Sequence, residues 1–200
     1  VSARRDAYTP DVRIVLVVLV LAPAAFAQSW TQWGAGPRHT GSLPIVAQRL
    51  DLQLADIVYD PFVPEERAEA GGNLLVHYQT PLSDGNDVFM EVKGGTYTTF
   101  RTWETQTWSI RKFQWEGRQL VAKWTVESDW NPVPFGAARF EPVFHAALGN
   151  GMLYMPGAGG TILEVNRETG AITRRLGAFD TPIDPTIYVT GPISDDDTGN

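Results

Sequence analysis

Glycine-closed turns set between runs of alternating apolar residues constrain this chain more than any other feature. A two-residue alternation commits one face of a strand to a core, and a short Gly turn brings the next strand back beside it. The clearest case is WSIRKFQW, Trp108 to Trp115, then Glu116-Gly117, then RQLVAKWTVE, Arg118 to Glu127. Leu120, Ala122, Trp124 and Val126 alternate with Gln119, Val121, Lys123 and Thr125, which predicts an antiparallel hairpin with one apolar and one mixed face. Trp108 and Trp115, seven apart, face opposite ways on a regular strand, and Trp124 pairs roughly across the turn.

The same device recurs. GMLYMP, Gly151 to Pro156, is followed by the bend Gly157 to Gly160, by TILEVN, Thr161 to Asn166, by the turn Glu168-Thr169-Gly170, and by AITRRL, Ala171 to Leu176. The earlier copy opens with DVFMEVK, Asp87 to Lys93, where Val88, Met90 and Val92 share one face and Phe89 on the other predicts cover on both sides. A strand is also expected at Leu74 to Gln79. Thr96 to Thr107 reads as a long packed connection that lengthens the first copy, and a third copy is expected to begin at Ile187 to Thr190. With 19 Gly and 14 Pro in 200 residues, the composition favours strands and turns over long helices.

Upstream the signals differ. Arg4, Arg5 and Arg13 precede the apolar run Ile14 to Leu21, and Ala25-Phe26-Ala27 leads into Gln28, the pattern of a cleaved secretory leader. Its apolar run is too short to span a bilayer comfortably. Export to a periplasmic or extracellular setting follows as the expectation, with no stable membrane span after cleavage. Removing 1–27 leaves 173 residues. Segments 28–72 read as an arm and connector, in which Trp30 and Trp33 cover a sheet edge, Leu50 to Tyr59 fits a strand or a helical turn, and Glu65 to Ala70 is a solvated link ending at Gly71-Gly72. Residues 73–200 form the repeat region.

The formal charge of -7 lacks the basic footprint that backbone phosphates require, so nucleic acid is not expected as a partner. There is no Cys, which removes disulfides, thiolate nucleophiles and Cys-ligated metals.

The run LYMPGAGGTILEVNRETGAITRRL resembles the repeat of pyrrolo-quinoline-quinone-like β-propellers: apolar strand, Gly-rich turn, second strand ending in Asp or Asn, an acidic-Thr-Gly turn and a final strand. The opening SWTQWGAGPRHTG looks like the Trp-containing lead segment of exported members. The resemblance implies an all-β fold of four-stranded antiparallel propeller blades, about two and the start of a third, hence an incomplete propeller or its N-terminal part. It implies an exported, non-catalytic repeat module binding a protein, glycan or other ligand. The alternative it leaves open is part of a quinone-dependent oxidoreductase, or of another exported enzyme, with PQQ and calcium as cofactors under that reading alone.

Candidate chemistry is sparse. Glu141 and His145 are the candidate catalytic pair, since an imidazole and a carboxylate four apart can share proton transfer if the backbone brings them together. Asp195 and Asp197 are the candidate calcium ligands, although the later Glu of an EF-hand loop is absent. Gly157 to Gly160 lacks the Lys-Ser or Lys-Thr of a phosphate loop. The series Trp103, Trp108, Trp115, Trp124 and Trp130 reads as packing, with a sugar-stacking platform as the alternative if several are exposed together.

Overall fold

The structure, a computed structural model, describes residues 29–43, 52–73, 80–138, 141–177 and 183–196. The expected leader, the strand expected at 74–79, and Asp197 lie outside the described residues. After a short helix α1 (Val63–Glu69), eight strands follow: β1 (Leu82–Asp84), β2 (Asp87–Gly95), β3 (Gln106–Glu116), β4 (Gln119–Ser128), β5 (Ala147–Gly149), β6 (Met152–Pro156), β7 (Thr161–Asn166) and β8 (Ile172–Gly177). They make two four-stranded antiparallel sheets, each in simple sequential order, β1 to β4 and β5 to β8.

The turn chemistry explains the local pairing. Gly117, at a φ of +64°, closes the β3–β4 hairpin between Glu116 and its partner Gln119. Gly170, at +74°, closes β7–β8. Few residues other than glycine adopt that left-handed backbone without cost. A register shift between Lys112 and Phe113 marks a bulge, and it sets Trp124 opposite Lys112.

One core serves both sheets. Leu82, Phe89, Trp108, Ile110 and Val126 from the first meet Leu148, Leu153, Met155, Leu163 and Val165 from the second, with Trp130 and Phe144 between. Trp108 and Trp130 cross edge to face at 4.8 Å, and Phe144 lies 5.3 Å from Trp130. Each such fully buried side chain contributes about 1.5–3 kcal/mol of transfer free energy. Among the buried indoles, Trp103 donates to the Val133 carbonyl (2.8 Å) and Trp130 to that of Val189 (2.9 Å).

This arrangement overturns the propeller expectation. The repeated unit was real as a four-stranded meander, but the two sheets are separate and share a single core in the manner of a two-layer sandwich; they are not curled into radially set blades and no ring closes. A meander is compatible with several ways of stacking sheets, and strand alternation carries no information about which is used. The third copy is also absent from the described residues: 187–190 form no strand, and Val189 instead packs against the core.

Two further corrections concern local structure. The solvated link at 65–70 is helical. Its two glutamates in the first turn suit the helix dipole, but at seven residues the helix depends on packing, and Glu66 is buried. Of Leu50 to Tyr59, expected as a strand or a helical turn, the described residues 52–59 are neither.

Of the two tryptophans expected to cover a sheet edge, Trp30 meets one and Trp33 packs on His145 instead. Trp30 exchanges two backbone hydrogen bonds with Ser83 at the edge of β1 (2.8 and 2.9 Å), and the carbonyl of Thr31 accepts the Leu148 N–H of β5 (2.6 Å). Gln32, fully buried, exchanges a reciprocal pair with the Asp195 backbone: its amide donates to the carbonyl (2.8 Å) and its carbonyl accepts the N–H (3.0 Å). His39 bonds Ser194 Oγ at 2.9 Å. Among the described residues no helix is long and apolar enough to cross a membrane.

Candidate functional site

Strand β2 determines what each face of the first sheet offers. Both of its faces are covered, as Phe89 among the valines predicted, but the inner row is Asp87, Phe89, Glu91 and Lys93. The apolar row Val88, Met90 and Val92 points the other way. With Trp115 and Leu120, Val88 and Met90 floor an outer groove of about 490 Å³, walled by the segment 52–57. Leu54 on that wall is 50% exposed, and among the described residues lining the groove Asp56 alone is charged. Trp108 and Trp115 therefore do face opposite ways, one into the core and one into the groove.

The inner row carries three buried ionisable clusters. Lys112 lies 2.8 Å from Asp87 and 3.0 Å from Glu168, over the Phe89 ring at 5.5 Å. Lys93 reaches Asp60 (3.2 Å), Glu66 (3.3 Å) and Glu141 (3.0 Å). Burial alone would lower the Lys93 pKa, yet Glu141 and Asp60, with Glu66, outweigh it and hold the ammonium above its ordinary value. Between these lies Glu91, fully buried, whose Oε1 accepts the Ala146 N–H at 3.2 Å. Burial pushes its carboxyl up to about 8, so it holds a proton at neutral pH.

His145 sits beside Glu91, its Nδ1 3.8 Å from Oε1 and 3.2 Å from the Ala146 carbonyl. Its ring is fully buried, and Nε2 has no hydrogen-bond partner among the described residues. Burial depresses its pKa, offset in part by the Ala146 carbonyl. Trp33 covers the imidazole edge to face at 5.6 Å.

The expected catalytic pair is thus divided: Glu141 serves Lys93 and His145 serves Glu91, because the extended backbone between them does not stack positions four apart. Asp195 is buried, its carboxylate packed against Gly149 and its backbone held by Gln32. Among the described residues no group of three or more His, Asp or Glu is placed to hold a metal ion. None of the five tryptophans from Trp103 to Trp130 is exposed, so they form no open sugar platform. The sequence reading missed Glu91, Lys93, Asp60 and Glu66; the available signal was two charges at alternate positions of an apolar strand, in register with Phe89.

Compared with family models, curated proteins and solved structures, the chain matches none. The resemblance to quinone-type propeller repeats therefore rests on a short run of turn and strand residues, with neither the family's architecture nor a family match behind it. The reading as a propeller binding module, and its quinone-dependent alternative, fall with it.

Proposed function

We propose that this chain is a two-sheet binding module whose outer groove takes an extended, apolar segment of a partner protein, with a basic side chain set against Asp56. The observation that carries the reading is the floor of Val88, Met90, Trp115 and Leu120, an apolar surface on the face of the sheet turned away from the core. Apolar surface of this extent, rimmed by polar residues, is characteristic of recognition sites. Alternate side chains of an extended peptide fit such a floor. Asp56 supplies the charge complementarity, and a glycan is disfavoured because the floor has few polar groups with which to meet hydroxyls. The exported setting belongs to the same proposal and rests on the leader pattern of residues 1–27.

The test is a titration of the protein, isotope-labelled at the methionine methyls, with an alternating Leu-Lys peptide and a matching Leu-Glu peptide. Binding of the Leu-Lys peptide is expected to shift the Met90 methyl and to be lost in Leu120→Arg. An unmoved Met90 signal at about millimolar peptide, the weak limit of useful affinity, overturns the groove as a binding site. Equal binding of both peptides overturns the role given to Asp56.

A further inference from the structure

We propose that His145 and Glu91 form a proton-controlled latch on the arm, closed while the imidazole is neutral and released when it takes up a proton. The argument begins with hydrogen-bond accounting. With Nδ1–H donating to the Ala146 carbonyl, the buried Nε2 presents a lone pair and no hydrogen, which explains how it stands without a partner. Protonation places an N–H there, and a buried cationic donor without an acceptor is strongly unfavourable.

Two routes lead out of that state. The first is release of the Glu91 proton to solvent, which leaves a buried carboxylate–imidazolium pair whose desolvation outweighs a 3.8 Å attraction unless further hydrogen bonds form. The second is hydration of Nε2 past Trp33, which is 37% exposed and packs its ring against the imidazole. Trp33 belongs to the same short segment that bonds β1 through Trp30 and β5 through Thr31, so displacing it strains those bonds.

The surrounding charges leave the second route favoured. On β2, Lys93 is the next inner residue beyond Glu91, already engaged by Asp60, Glu66 and Glu141. On the arm, Arg38 and His39 lie at its exposed end, His39 bonded to Ser194, and from the C-terminal segment Asp195 meets the arm through Gln32. Burial of the imidazole lowers its pKa, so release is expected below the ordinary histidine range, in mildly acidic surroundings.

Hydrogen exchange tests the latch. Protection factors, corrected for intrinsic rates, are measured for the Trp30 and Leu148 amides between about pH 7.5 and pH 5, the span over which histidine charges. They are expected to fall by about tenfold or more in the intact chain while the core of β7 keeps its protection, and to become independent of pH in His145→Gln. A fall that persists unchanged in His145→Gln, or no fall in the unsubstituted chain, overturns the proposal. Should that variant not fold, proton NMR of the unsubstituted chain decides: His145 titrating together with the Trp33 indole supports the latch, and His145 titrating with Trp33 unmoved refutes it.

Discussion

Replacing Glu91 with Gln isolates one buried proton. The carboxyl stands at about 8 in the folded chain against 4.5 for the ordinary group, a difference of three to four units. At about 1.4 kcal/mol per unit, the linked free energy is about 5 kcal/mol. The folded pKa is raised, so the contribution is fully present below about pH 4.5 and is lost as pH rises through 8. In that window the unfolded chain has released a proton that the folded chain still holds. Gln matches the protonated acid in shape and keeps an oxygen to accept the Ala146 N–H, so the variant should have nearly the parent's stability at about pH 4.5 and gain on it steadily above that. The assay is urea unfolding of both proteins, followed by tryptophan fluorescence from about pH 4.5 to 8.5. Subtracting the two curves cancels the titrating groups that do not touch position 91, while His145, 3.8 Å away, contributes to the difference. A difference that stays flat with pH would refute the assignment of a buried, protonated Glu91.

Other substitutions probe the remaining clusters and turns. Lys93→Met leaves Asp60, Glu66 and Glu141 without their shared ammonium and is expected to cost about 3–5 kcal/mol near neutrality, the usual penalty for stranding buried charge, with a smaller deficit in acid by the same unfolding assay. Gly170→Ala places a methyl 2.8 Å from the Trp124 ring at a φ of +74°, for an expected loss of about 2–4 kcal/mol. Gly85→Ala, also left-handed but facing open space, should lose only the backbone share of about 1–2 kcal/mol, and equal losses at the two positions would remove the Trp124 contact from the account.

Hairpins were legible because their determinants are local. Thr161 to Asn166 is a strand with the bounds the alternation predicts, β3 extends its run by two residues at the start and one at the end, and β4 lies one residue later than expected. What governs the rest is distant in sequence. Glu66 looked like a solvated charge because its partner Lys93 is 27 positions away, and Lys112 finds Glu168 at 56. The orientation of β2 is ambiguous for the same reason: an apolar row and a charged row compete, and the charged row turns inward where Asp60, Glu66 of α1 and Glu168 of the β7–β8 turn deliver its counter-ions. Stacking of one sheet on the other is further removed still, since both sheets would show the same alternation in any packing.

The arm has a consequence for how the chain comes into being. An uncovered strand edge is a template on which other chains can add, and the segment 29–33 covers two such edges, β1 and β5, with a handful of bonds. It leaves the ribosome ahead of everything it binds, since Leu148 lies far downstream and Asp195, which locks Gln32, is separated from it by 163 positions. Trp30 can pair with Ser83 once β1 is made, but Thr31 and Gln32 must wait for Leu148 and Asp195. Until Asp195 has been made, the arm is held only through its bonds to β1 and β5, without the Gln32 pair that locks it.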